Sequence, residues 1–471
     1  MRAYAMAAML LCAGCAGKGP PPATAAAKPV ETAVVPSDPW ASTYRPYPGV
    51  VTVISNAVVY DGTGRKFAPG AVRIANGVIA EIGSDVAVPA GAVVIDGAGK
   101  FVTPGIIDIH SHLGVAPSPS VDSLNDSNES TSPARPEIWA EHSVWPQDPG
   151  FGRALAGGVT SLHVLPGSAN LFGGRGTTLK NVYGRTVQDM KFPGAPYSLK
   201  MACGENPRRV YGNRGQMPAT RMGNIAYARQ VWADAVDYKR RWDDYTRRAV
   251  AGTARPGEAP RRDLAKDTLM GVLDGEILVQ NHCYRADEMA NMIAMSHEFG
   301  YRITAFHHAV ESYKIADLLA NQGICSAMWA DWYGGKMESY DGIRENIALV
   351  DHAGACAIVH SDDPDGIQRL NQEAAKAMAA GNRMGMAITP EHAWTWLSRN
   401  PAKALGIDAK VGSLEAGKMA DIVLWNASPF SVYARPEKVW IDGALMYDWA
   451  DAKRQPRSDF ELGQPGAGGA K

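Results

Sequence analysis

Apolar and polar positions alternate with period two from Val50 to Thr103. The runs "VTVISNAVVYDG", "AVRIANGVIAEIG" and "AVVIDGAGKFVTPG" read as short strands separated by glycine turns, and Asn76-Gly77 between apolar runs marks a hairpin. The same pattern returns late in the chain, in "GSLEAGKMADIVLWN" and "KVWIDGALMYD". Between these stretches the period changes. Strand-length apolar runs, "GIIDIHSH", "GVTSLHVLP", "YSLKMACGE", "EILVQNHC", "YRITAFHHA", "GICSAMWA" and "ACAIVHSDD", alternate with helical patterns such as "RADEMANMIAMSHEFG" and "ESYKIADLLANQG", each closed by a glycine. A further strand, the third, is expected near "GTTLKN". Strand-helix repetition on this scale predicts an α/β fold, a (β/α)8 TIM barrel over residues 104–406. Residues 50–103 and 407–450 then meet as one small β-sandwich domain formed by both chain ends.

The termini lack both periods. "MRAYAMAAMLLCAGCAGKGP" has an early positive charge, a short apolar core and small residues after it, the build of an export signal over residues 1–15. Its "CAGC" resembles the bacterial lipoprotein signal, with Cys12 where that pattern usually has leucine. The resemblance implies lipidation of Cys15 and an exported, periplasmic, membrane-anchored lipoprotein whose one membrane attachment is that lipid. Residues 16–49 read as a flexible tether and residues 451–471 as a disordered tail. Acidic and basic residues nearly cancel, 48 against 47, so no global charge points to nucleic acid. Cys203, Cys283, Cys325 and Cys356 are widely spaced in apolar runs and read as buried free thiols.

Barrel chemistry collects at the C-terminal ends of the strands. There the chain places His110 and His112, then Lys200 with Glu205 beyond it, His282, His308 or its neighbour His307, and Asp362. Residues i and i+2 of a strand share a face, so His110 and His112 look the same way and can share one ion. In "FHHAVES" the same alternation lets only one histidine face the lumen. His142, His163, His297, His352, His360 and His392 read as core or surface residues.

"PGIIDIHSHL", "GSLEAGKMADIVLW" and "SDDPDG" resemble signatures of the amidohydrolase superfamily, close to its imidazolonepropionase-like and dipeptidase-like branch, over almost the whole mature chain. The resemblance implies that His110 and His112 hold one divalent ion and His282 and His308 a second. It implies that Lys200, as a carbamate, bridges them, and that Asp362 is both a ligand and the proton acceptor. Glu205 is the rival of Lys200 in branches that use one metal. The family pattern of histidine followed three residues later by glutamate favours His308 with Glu311; aspartate directly after Ser361 favours Asp362 and leaves Asp363 to the turn. The expected cofactor is Zn2+ or a similar ion, one or two per chain. The expected reaction is hydrolysis of a C–N bond in an amide, cyclic amide or dipeptide. The alternatives are a one-metal deaminase or deacetylase and an inactive periplasmic binding protein. The expected partner is a small-molecule substrate, and a homo-oligomer is compatible with the sequence.

Two loops offer substrate contacts. "LPGSANLFGGRGTTLKN" carries Arg175 and Lys180 near the expected mouth, and the segment after the fourth strand carries Arg208, Arg209, Arg214 and Arg221, guanidinium groups suited to a substrate acid. Trp329, Trp332, Tyr333 and Lys336 follow the seventh strand and could line a pocket. "YARQVWADAVDYKRRWDDYTRRAV" alternates in charge and reads as an exposed lid or bracing helix.

Overall fold

The structure, a computed structural model, describes residues 38–333 and 335–456. The export signal with Cys15, most of the tether and residues 457–471 of the tail lie outside the described residues. The described part of the tether, residues 38–49, is packed rather than loose. Tyr44 is buried, and Asp38 accepts hydrogen bonds from Lys191 Nζ at 3.0 Å and from the Tyr197 hydroxyl at 2.7 Å. At the other end Asp451 caps a short turn, Ala452–Arg454, so the tail begins later than its composition suggests.

The first five strands are β1 (Thr52–Tyr60), β2 (Lys66–Ala75), β3 (Val78–Gly83), β4 (Val93–Asp96) and β5 (Phe101–Pro104). Asn76 and Gly77, with φ of 54° and 79°, make the two-residue turn of the β2–β3 hairpin, a conformation that asparagine and glycine reach at least cost. The barrel strands follow as β6 (Ile106–Ser111), β7 (Val159–Val164), β8 (Phe172–Lys180), β9 (Ser198–Ala202), β10 (Leu278–Cys283), β11 (Ala305–His308), β12 (Cys325–Met328) and β13 (Cys356–Val359). Then β14 (Ile422–Trp425), β15 (Pro436–Ile441) and β16 (Ala444–Asp448) return to the first sheet, where β14 pairs antiparallel with β5. The two chain ends therefore share one sheet and one apolar core that includes Ile54, Ile74, Val102, Ile422, Leu424 and Trp440.

The barrel strands pair in chain order from β6 to β13. One of them is reversed: β8 runs antiparallel to both β7 and β9, while the others run parallel. The reversal changes which end of the third strand faces the mouth. Phe172 lies beside Met201 near the C-terminal rim, and Lys180 lies beside Ser161 at the opposite end. The glycine-rich start of β8 follows from crowding. A Cβ on Gly174, whose φ is 112°, would come within 2.2 Å of the Ile138 carbonyl oxygen. Among the described residues no strand ladder joins β13 to β6. That seam is closed by the Asp362 amide, which donates to the His110 carbonyl at 3.0 Å.

The charged helix, Arg221–Val250, is a brace. Trp232, Tyr238, Trp242 and Tyr245 are buried along one face, and Trp232 stacks on Tyr301 at 4.2 Å. Its exposed face is laced by ion pairs such as Arg240–Asp237 and Arg248–Asp244. No helix among the described residues is long and apolar enough to cross a membrane.

The four body cysteines form two disulfides, which corrects the expectation of free thiols. Strand register explains the pairing: Cys325 and Cys356 are direct partners on β12 and β13, and the register that sets Ala202 beside His282 puts Cys203 beside Cys283. Sequence separations of 31 and 80 residues hide this adjacency.

Candidate metal centre

The rim of the barrel at the β6–β13 seam gathers the predicted histidines and aspartate. His110 Nε2 lies 3.3 Å from His112 Nε2, and each lies 3.2 Å from Asp362 Oδ1. Edges of about 3.3 Å are those of a tetrahedral site whose metal–ligand bonds are about 2.0–2.1 Å, so the triangle fits a zinc-sized ion. Hydrogen bonds set the ring tautomers that leave lone pairs on it. Gln280 Nε2 donates to the Ala404 carbonyl at 3.2 Å, which turns Gln280 Oε1 toward His307 Nε2, 2.7 Å away. His307 Nε2 thus carries a proton, His307 Nδ1 accepts from His110 Nδ1 at 2.8 Å, and His110 Nε2 is left bare. His112 reaches the same state because its Nδ1 donates to the Leu165 carbonyl at 2.9 Å.

Neighbouring histidines on β11 both face inward, against the strict alternation expected of a strand. His307 orients His110, while His308, at φ 67°, swings into the cluster with its Nδ1 3.9 Å from Asp362 Oδ2. His282 lies beside it, ring centroids 4.5 Å apart. Among the described residues, both ring nitrogens of His282, His308 Nδ1 and Lys200 Nζ are buried without a hydrogen-bond partner. Buried polar atoms are rarely left so, and a set of bare nitrogens facing a carboxylate fits a bound cation. His110, His112, His282, His308, Lys200 and Asp362 are therefore the residues that could hold one or two ions.

Two participants were missed by the sequence reading. His360 joins His110 and His308 as a group able to hold a metal, and its Nε2 accepts the His308 amide at 3.3 Å. It stands two residues before Asp362, the same i, i+2 relation that exposes His110 and His112, so the signal was present. Asp108 is the other. Fully buried, it accepts the Ser361 hydroxyl at 2.5 Å and the Ser361 and His110 amides at 3.2 Å each, clamping the loop that carries Asp362 to the first barrel strand. Burial raises its carboxyl to about 7.

Electrostatics favour the ligating forms. Burial, and then the charge of Lys200, holds His110 and His307 well below the ordinary histidine value; burial and then Lys336 does so for His282. Burial also lowers His360 to about 3 and Lys200 to about 7, where a neutral amine is well populated. At Asp362 burial acts upward, and His308 and His112 more than offset it, so the carboxylate stays ionised. These shifts predict acid lability. Below pH 6.5 the unfolded chain binds protons that the folded cluster refuses, so stability falls as pH falls, by up to about 1.4 kcal/mol per pH unit for each histidine kept neutral. Chelator-treated protein should therefore lose melting temperature steadily from pH 6.5 to 5 in calorimetry; a flat profile would contradict neutral burial.

Other predicted contacts lie elsewhere. Glu205 opens the helix Glu205–Gly212 and pairs with Arg209 at 3.9 Å, outside the histidine cluster. Arg175 is buried against the Trp139 ring, 4.1 Å from its centroid, and donates to Thr268 Oγ1, because the reversed β8 points it away from the mouth. Arg208 is exposed on the Glu205–Gly212 helix. Trp332 stands half-exposed and lines one pocket with Trp329, His360 and Ser361. Asp363 serves the turn, accepting the Asp365 amide at 2.9 Å.

An eight-stranded barrel with histidines and a carboxylate converging on its C-terminal rim is a TIM barrel with a candidate metal site. Comparisons with known proteins make the class specific. The Amidohydrolase family matches residues 101–446. Over 432 residues the chain is 33% identical to amidohydrolase tasK of Hapsidospora irregularis, covering 85% of this chain and 43% of that protein, so the chain spans less than half the length of that relative. A 43-residue stretch is 58% identical to an imidazolonepropionase of Shewanella piezotolerans, 9% of this chain and 10% of that one. The crystal structure of an amidohydrolase from Thermotoga maritima superposes with a TM-score of 0.76 at 34% identity, covering 84% of this chain and 100% of that one. The chain belongs to the amidohydrolase family.

Proposed function

We propose that the protein is a metal-dependent amidohydrolase that cleaves the C–N bond of a small amide, cyclic amide or dipeptide. The observation that carries this reading is the convergence of His110 Nε2, His112 Nε2 and Asp362 Oδ1 within 3.3 Å of one another. A divalent ion, zinc in the simplest case, held by His110, His112, His282, His308 and Asp362 would supply Lewis acidity toward the substrate carbonyl and the attacking water. Asp362 takes the proton from that water and returns it to the departing nitrogen. Asp108 and Ser361 hold the Asp362 loop in place. Trp329, stacked on His308 at 4.3 Å, and Tyr284, stacked beside the same ring, wall the reaction from solvent.

Lys200 has the state that carboxylation needs. Its neutral Nζ can add to the carbon of CO2 with loss of one proton, and the resulting carbamate would offer an anionic ligand in place of an amine. The one-metal deaminase or deacetylase reading is not favoured, because Glu205 is paired with Arg209 and belongs to no histidine group able to hold a metal, while Lys200 is fully buried and acts on His110 and His307. Export to an oxidising compartment, with lipidation at Cys15, belongs to the same proposal; the two disulfides support it.

Metal content tests the reading. The chain from Lys28, expressed with bicarbonate, is expected to bind about two metals by plasma mass spectrometry and to lose at least one in Lys200→Ala. About one metal, indifferent to that change, would return the one-metal branch. None after reconstitution would favour the binding-protein alternative.

A further inference from the structure

The loop after β12 brings to the wall of the metal centre a cation that no role given so far uses. Lys336 Nζ sits 4.7 Å from the centre of the Tyr284 ring, 3.4 Å from its hydroxyl and 3.8 Å from Glu338 Oε1, with 28% of the side chain exposed. Tyr284 packs against His282 at 5.1 Å and His308 at 5.3 Å, so one aromatic ring separates this ammonium from the histidines.

Among the described residues its pairing is incomplete. A charge-assisted N–H···O contact closes to about 2.7–2.9 Å, and neither partner of Lys336 comes that near. Glu338 spends one oxygen elsewhere, its Oε2 accepting the Glu205 amide at 2.8 Å, while its Oε1, the oxygen nearer Lys336, stays 3.8 Å from the ammonium, beyond hydrogen-bond reach. The lysine nitrogen donates to the Tyr284 oxygen, which leaves the phenolic proton to be given to a third group. On the adjoining helix Arg208 acts against the negative charge of Glu338 and Arg209 pairs with Glu205 at 3.9 Å, so the acidic pair does not set the sign of this rim alone.

We propose that Lys336, with the Tyr284 hydroxyl beside it, binds a carboxylate of the substrate at the rim of the metal centre, so that the preferred substrates are N-acyl amino acids or dipeptides with a free acid group. Two donors 3.4 Å apart can each take one oxygen of a carboxylate. This inference rests on the hydrolase reading for the word substrate, and on the rim geometry alone for the binding of an acid. It also moves the acid-binding role from Arg175 and Arg208 to a residue on another loop.

The test uses a panel of N-acetyl-L-amino acids and dipeptides, each beside its C-terminal carboxamide. Binding to the metal-loaded chain is measured by calorimetry and hydrolysis by amine release. Wild type is expected to favour the acid over the amide by at least about 20-fold, Lys336→Met to bring the ratio within about threefold, and Lys336→Arg to keep most of it. Metal content and melting temperature of the variants separate this effect from misfolding. A ratio near one in wild type, or one that Lys336→Met leaves intact, overturns the subsite. If acids bind with Lys336 dependence but nothing in the panel is hydrolysed, the hydrolase reading fails and the subsite stands. If amides are hydrolysed as fast as acids in both proteins, the subsite fails and the hydrolase reading stands.

Discussion

Asp362→Asn is expected to lower kcat by about a thousandfold, within the roughly 10²–10⁴ that a positioned acid–base group contributes. Asparagine keeps the shape of the side chain and still offers an oxygen to an ion, but it cannot take a proton from water or give one to a leaving nitrogen. The loss should fall on kcat more than on KM, because the proton moves in the transition state. The acidic limb of the pH–rate profile should change with it. Metal content measured on the same sample separates the two duties of the residue: a variant that keeps its metal and loses turnover isolates the proton transfer. A loss below about tenfold with metal retained would assign the proton to another group, with His360 the nearest candidate on the same loop.

Much of this centre was legible in the chain because its residues obey strand periodicity. His110 and His112 announce themselves by the i, i+2 spacing after a Pro-Gly break, and His282, His308 and Asp362 close strand-length apolar runs. Where the reading failed, local backbone or register overrode the pattern. His307 and His308 both point inward because His308 adopts a left-handed φ, which no alternation rule anticipates. Asp108 has the right spacing from His110 but looks like one polar residue in an apolar run; only the return of the last barrel strand shows that its carboxylate grips Ser361. The cysteine pairs depend on which strands become neighbours, and separations of 31 and 80 residues carry no trace of that. Arg175 and Lys180 were placed at the mouth on the assumption that the third strand runs with the others. The composition of "FGGRGTTLK" carries no mark of strand direction, so the reversal of β8, and with it the fate of both cations, comes from tertiary pairing.

Lys180 itself yields the largest effect expected on stability. At the end of β8 remote from the mouth it is fully buried, 3.0 Å from both carboxylate oxygens of Asp421 and 2.9 Å from Asp442 Oδ1. The Asp442 amide donates to Asp421 Oδ1 at 3.0 Å, and the Tyr44 hydroxyl closes the group by donating to Asp442 Oδ2 at 2.5 Å. One barrel strand, the two flanks of the returning sheet and the segment before β1 are thus tied at one buried point. Burial raises Asp421 to about 6 even with the lysine present, which shows how little water offsets these charges. Lys180→Met should therefore cost about 3–5 kcal/mol in urea unfolding, since it strands two carboxylates in a site built for a cation. Adding Asp421→Asn and Asp442→Asn should recover most of that loss, because the penalty lies in the uncompensated charge and not in the missing attraction. A single-variant loss below about 1 kcal/mol would mean that water reaches the carboxylates and that the joint between sheet and barrel rests on its apolar contacts instead.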